Sequence, residues 1–427
     1  MPPRADDRPA VTTPDTPALI RVFGRIGLLS FGGPAAQIAV MHRELVEERP
    51  WLDEPTFLRA LSLCMLLPGP EAMQLATYAG WRLRGVAGGL IAGLLFVLPG
   101  AAVIAVLVLL YAVHGDLPLV RAGFTGIKAA VIVIVLQALL KIARKALTRG
   151  SAWGLAGAAF LAIFAFNLPF PLIIAAAALW GAASAAPREV PTIHAPPAGP
   201  APLRVAAFWM ALWLGPLVAL SLTGPQLLAD LGWFFARLAV VSFGGAYAVL
   251  AYMTQTVVQE HGWISTAQMI DALGLAETTP GPLILVTQFV AMLAGHLAGG
   301  VGLALAAGAV ALWATFVPCF LWIFLAGPYL EQISARPRLS AALEAIMAAV
   351  VGVILNLSIW FALHVLFAEL GRLSTGPLML PVPRWESLDP AALGLAVLAG
   401  LLMLGLRLGM VPTLAILAGV GVILGLA

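Results

Sequence analysis

Two short sequences occur twice in this chain, and both have the residue types to bind an anion. Ser30-Phe31-Gly32-Gly33 returns as Ser242-Phe243-Gly244-Gly245, and Pro68-Gly69-Pro70 returns as Pro280-Gly281-Pro282. Two glycines followed by Pro34 would stop one helix and start another, because proline suits a first helical turn. A restarted helix offers free backbone N–H groups and the positive end of its dipole, which together attract an anion. Pro-Gly-Pro cannot continue a helix without losing hydrogen bonds, so each copy marks a break or a re-entrant turn. Irregular backbone at membrane depth is tolerated where it is buried or lines a cavity.

Arg25 and Arg237 stand five residues before the two Ser-Phe-Gly-Gly turns, and an arginine can grip an oxyanion through two parallel hydrogen bonds. Glu71 follows one Pro-Gly-Pro and Glu277 precedes the other, which makes them the proton-coupling candidates, since a desolvated carboxylate can take up a proton reversibly. The substrate-binding set is therefore Arg25, Ser30, Gly32, Gly33, Pro68, Gly69, Pro70, Gln74, Lys128, Arg237, Ser242, Gly244, Gly245, Thr279 and Gly281. Packing, snorkelling and structural ion pairing are the competing readings for these residues. His42, Glu44, Glu47 and Glu48 read as a solvated loop. Cys64 and Cys319 read as packing residues, without CxxC or metal-like spacing. The copies are not identical, because Ala246 replaces Pro34.

The elements that carry these turns are apolar. The chain has 427 residues, 61% hydrophobic and 10% charged, with 43 glycines and 32 prolines. That much apolar surface needs lipid as its solvent. The sequence predicts an all-α polytopic membrane protein of about 13 transmembrane or re-entrant helices. They lie near 18–41, 60–82, 85–113, 120–143, 152–167, 169–186, 204–223, 228–253, 269–293, 297–326, 339–368, 389–406 and 408–426. Residues 1–17 read as a flexible tail, 18–186 as the first repeat, 187–227 as a Pro-rich linker plus an extra helix, and 228–427 as the second repeat.

Residues 23–70 align with 235–282 at a constant offset of 212, and 18 of the 48 positions are identical. Seven segments between the copies imply inverted halves, a common plan in secondary transporters. Lys141, Arg144, Lys145 and Arg149 form the most basic short loop, which the positive-inside rule puts in the cytoplasm, and counting back puts the N-terminus there too and loop 42–59 outside. A net charge of +3 without a basic tract excludes nucleic acid. The sequence has no Walker loop, HExxH or nucleophile elbow, so neither enzyme, metal site nor cofactor is expected.

FGRIGLLSFGGPAAQIAVM, LLPGPEAMQLATYAGWRLRG, SFGGAYAVLAYM and TTPGP resemble the chromate ion transporter family in its long two-domain form, over about residues 20–426. The resemblance implies a bacterial inner-membrane, multi-pass secondary transporter that exports chromate by proton antiport and confers chromate resistance. Its partners would be the oxyanion, protons and the lipid bilayer; the sequence leaves the oligomeric state open, a homodimer being one alternative. Sulfate, of the same shape and charge, is the rival cargo, and a passive anion channel the rival mechanism.

Overall fold

The structure, a computed structural model, describes residues 14–31, 33–185, 202–243, 246–329, 336–376 and 378–426. Most of the tail and the linker read from the sequence lie outside the described residues, as do Gly32, Gly244 and Gly245 of the candidate set.

The first repeat contains α1 (Thr16–Leu29), α2 (Gly33–His42), α3 (Glu54–Leu66), α4 (Glu71–His114), α5 (Pro118–Ala146), α6 (Gly150–Phe164) and α7 (Phe170–Ala183). Next comes α8 (Pro202–Thr223). The second repeat contains α9 (Gln226–Val241), α10 (Ala246–Met253), α11 (Thr266–Thr278), α12 (Val286–Ala326), α13 (Pro337–Leu366), α14 (Pro390–Gly400) and α15 (Met410–Leu426). The offset of 212 maps the bounds of α3 onto those of α11 without a residue to spare. Both α2 and α10 continue into a π-helical turn, Arg43–Glu47 and Thr254–Glu260.

Local chemistry sets these boundaries. Asp15 caps α1 through the Ala18 amide at 2.8 Å, and Asp53 caps α3 through the Thr56 amide at 2.9 Å. Ser265 and Gln268 close a capping box on α11. The two long helices bend sharply at matching places. Arg84 and Gly85 leave helical geometry in α4 with Gly85 at φ 61°, and Gly299 and Gly300 do so in α12 with Gly300 at φ 75°. Gly80 and Gly88 let the two legs of α4 touch, since a Cβ on either would lie 2.3 Å from the other's carbonyl oxygen.

Five described helices are long and apolar enough to cross a membrane: α4, α5, α8, α12 with its flanking turns, and α13. The expected count of about 13 was drawn from apolar runs, and several runs are broken. Run 18–41 is α1 and α2, run 60–82 joins the end of α3 to the start of α4, and 228–253 and 269–293 divide likewise. The 14 residues of α1 rise about 21 Å, less than the roughly 30 Å hydrocarbon core. The sequence reading also missed a hairpin of β1 (Leu370–Thr375) and β2 (Leu378–Pro383), antiparallel with Leu373 opposite Leu380.

The halves exchange helices. α6 and α7 of the first repeat pack on α13 of the second, while α14 and α15 of the second pack on α5 of the first. Small residues permit the approach: a Cβ on Gly352 would lie 2.0 Å from the Ala156 carbonyl oxygen, and one on Gly126 would lie 1.9 Å from that of Leu417. α4 and α12 join the halves at the centre.

Candidate functional site

The repeated turns meet each other across the two halves. The Gly69 amide donates to the Ser242 carbonyl at 3.1 Å, and the Gly281 amide donates to the Ser30 carbonyl at 2.9 Å. Each Pro-Gly-Pro thus binds the Ser-Phe-Gly-Gly of the other repeat. Gly69 has φ 120° and Gly281 φ 87°, so the turns need glycine. The hydroxyls of Ser30 and Ser242 donate back to Ile26 and Ala239 in their own helices.

Four helical segments begin around this crossing. Pro34 in α2, Glu71 in α4, Ala246 in α10 and Leu283 in the 3-10 turn before α12 all line one cavity of about 20 Å³. Neither Pro70 nor Pro282 caps its helix with a side chain. The free amides and dipoles of these ends favour negative charge between them. The cavity has room for about one water molecule, so a four-oxygen anion does not fit in this conformation.

A second cavity, of about 500 Å³, reaches the same turns and shares Pro34, Gly69, Glu71 and Ala246 with the first. Its wall carries Gln137, Lys141 and Lys145 of α5, and Glu277 and Tyr247. The Tyr247 hydroxyl donates to Glu277 Oε1 at 2.6 Å, and Glu277 is buried at 4% exposure. The result is a vestibule with two ammonium groups on its wall and two carboxylates near its floor.

The candidate residues divide. Gly33, Gly69, Pro70 and Glu71 line a cavity, as do Ser242 and Glu277, while Pro68 and Gly281 belong to the bonded turns. Gln74 donates to the Pro68 carbonyl at 2.7 Å and holds that turn from below. Thr279 donates to the Ala276 carbonyl, ending α11.

The three cations chosen from sequence line neither of these cavities. Arg25 Nε lies 3.3 Å from Glu44 Oε1, and Arg49 binds the other oxygen of that carboxylate at 2.5 Å. Glu44 is fully buried, so it does not belong to a solvated loop. His42 ends α2 and its ring lies within hydrogen-bonding distance of Glu47 and Glu54. Arg237 is exposed and donates to the Trp233 carbonyl in its own helix. Lys128 lies 3.3 Å from Asp271, which also accepts from the Tyr111 hydroxyl at 2.8 Å. Cys64 and Cys319 are free and buried.

Sequence reasoning missed Gln37. Its amide nitrogen donates to the Gly281 carbonyl at 2.7 Å and reaches the Ser30 carbonyl at 3.4 Å, tying both turns together. No motif marks a neutral residue whose partner is 244 positions away. Its counterpart is Val249, and the Tyr247–Glu277 pair has Ala35 and Met65 as counterparts. A comparison of the two repeats would have exposed these three differences.

The family model for chromate transporters matches residues 17–182 and 229–426, the two halves without the linker and α8. The chain belongs to the chromate transporter family. It is 32% identical over 341 residues to a probable chromate transport protein of Synechococcus elongatus, covering 79% of this chain and 82% of the relative. It is 30% identical over 342 residues to a chromate transport protein of Cupriavidus metallidurans (79% and 80% covered), and 32% identical over 343 residues to one of Pseudomonas aeruginosa (79% of each). No solved structure matches the chain. As in the sequence reading, this family member is a helical, multi-pass membrane protein.

Proposed function

We propose that this protein is a secondary active transporter that exports chromate from the bacterial cytoplasm across the inner membrane in exchange for protons. The vestibule carries the proposal: Lys141 and Lys145 on its wall draw a dianion inward, the helix starts at Pro34 and Ala246 receive it, and Glu71 and Glu277 stand beside it. Export from an inside-negative cell is electrically downhill by about 2.3 kcal/mol per charge per 100 mV. Proton entry through Glu71 and Glu277 supplies drive against a steep chemical gradient.

The basic end of α5 supports an orientation with the vestibule facing the cytoplasm. In this reading α1–α2 and the pair formed by α3 with the first leg of α4 are re-entrant hairpins. α4 and α5 then cross once each, and α6–α7 returns to its own side. The single crossing of α8 inverts the second repeat. This reading keeps the halves inverted with fewer full crossings, and it puts loop 42–59 on the cytoplasmic side.

On the far side the path is closed by Lys128, Asp271 and Tyr111. Lys128 lies 13 residues before Lys141 in α5, about 20 Å along the axis. The cluster ties α4 and α5 of one half to α11 of the other, and its rupture would open the outer side. The cavity of about 20 Å³ at the crossing also argues against an open channel.

Everted membrane vesicles test the function. Chromate uptake should depend on the pH gradient and fall when a protonophore collapses it. Uptake that ignores the gradient removes the antiport reading, and sulfate carried in preference to chromate changes the cargo.

A further inference from the structure

A second basic cavity lies beside the vestibule, outside the path of the proposed cargo. It holds about 480 Å³ and sits where α5, α6 and α7 of the first half meet α13 of the second. Lys145, Arg149, Ser151, Ser184, Ser340 and Glu344 form its polar wall. Leu155, Leu343 and Ala348 give it an apolar wall.

Its charges are incompletely answered. Lys145 Nζ lies 3.4 Å from the Met65 sulfur, and among the described residues no carboxylate lies within ion-pairing distance of it. Arg149 meets Glu344 at 3.5 Å, with both side chains largely exposed, 76% and 66%, so the pair is weak and exchangeable. Two cations against one carboxylate leave a net positive wall. The first turns of α6 and α13 also end here, and neither has a side-chain cap.

We propose that this cavity binds the phosphate of an anionic phospholipid of the cytoplasmic leaflet. The phosphate would meet Lys145, Arg149 and the serine hydroxyls, and the glycerol and upper acyl carbons would lie on Leu155 and Leu343. A lipid fits better than free phosphate because the polar wall continues directly into the apolar one. Trp180, at 45% exposure, lines it, and Trp153, at 63%, directly follows the lining residue Ala152, as interfacial residues do. Basic pockets between membrane helices on the cytoplasmic side suit anionic headgroups. Lys145 borders both this cavity and the vestibule, so an occupying lipid would sense the same ammonium that draws in cargo. The inference takes from the proposed function only the orientation of the basic face.

The test is lipid retention by the purified full chain, measured without chromate so that it stands apart from transport. The protein is reconstituted in vesicles of phosphatidylglycerol or phosphatidylcholine, extracted, and weighed by native mass spectrometry. Wild type should hold phosphatidylglycerol at least ten-fold better than phosphatidylcholine. Lys145→Gln and Arg149→Gln should each weaken retention about five-fold. Glu344→Gln removes the competing carboxylate and should strengthen it, which keeps the test decisive if a cation variant folds poorly. Equal retention of the two lipids, unchanged retention in the double Lys145→Gln, Arg149→Gln variant, or displacement by millimolar inorganic phosphate would each overturn the proposal.

Discussion

Gly281 donates its amide to the carbonyl of Ser30, and Gly69 makes the same bond to Ser242. Each half therefore completes the broken helix of the other, and the proposed substrate region forms only where both are present. Gly69→Ala should damage transport most. The new Cβ would lie 2.8 Å from Gln74 Nε2 and 3.0 Å from the Cys319 sulfur, at φ 120°, and such strain costs about 1–3 kcal/mol. Gly154→Ala, in α6 with ordinary helical backbone and open space around it, is the comparison and should keep most activity. Thermal unfolding in detergent and chromate flux would be measured for both.

Glu277→Gln should uncouple chromate movement from protons while leaving the fold intact, because Gln can still accept from the Tyr247 hydroxyl. Tyr247→Phe removes that donor from a buried carboxylate and should cost about 1–3 kcal/mol. Proton flux recorded alongside chromate flux separates the two. A Glu277→Gln protein that still carries protons with normal stoichiometry would leave Glu71 as the sole candidate.

Lys128→Met should destabilise the protein by about 3–5 kcal/mol, since it leaves the buried Asp271 carboxylate without its cation, and Asp271→Asn should cost less, since the Lys128 side chain is 26% exposed. The double substitution should recover most of that stability, because replacing both charges relieves both penalties. It should also leak, having lost the tie between α5 and α11. A double-mutant cycle in unfolding temperature, with a leak assay in vesicles, checks both effects.

The repeat-equivalent arginines should behave differently. Arg25→Gln removes one of the two cations on a fully buried carboxylate and should lower stability by roughly 1 kcal/mol, while Arg237→Gln, on an exposed side chain, should stay within about 0.5 kcal/mol. Neither should change apparent chromate affinity much. A large rise in KM for either would return that arginine to the substrate site.

Lys141→Gln should raise the KM for chromate several-fold at low ionic strength with little change in kcat. The difference should shrink at high salt, where the Debye length falls to about 3 Å. Initial rates at two salt concentrations measure it.

The turns, the repeat and the membrane class were legible because glycine and proline mark the backbone directly and apolar runs are long. The partners of the charges were not. Lys128 and Asp271 are 143 positions apart, and nothing local says that one neutralises the other. Arg25 and Glu44 are closer in sequence, yet the π-helical turn after α2 brings them together, and single-sequence periodicity does not register such a turn. The apolar runs ran across helix breaks for a related reason: hydropathy counts residues across Ser30 and Phe31 as readily as along a helix.

The exchange of α6–α7 and α14–α15 has a consequence for how the chain is assembled. A first half made alone would expose the face of α5 that α14 and α15 cover, and a second half alone would expose the face of α13 that α6 and α7 cover. Neither half encloses its own core. The two halves behave as partners written on one strand, and in the proposed inverted topology α8 is the tether that lets the second half enter the bilayer the other way up. Cutting the chain between residues 186 and 201 and expressing both pieces together should rebuild the transporter, whereas neither piece should fold by itself.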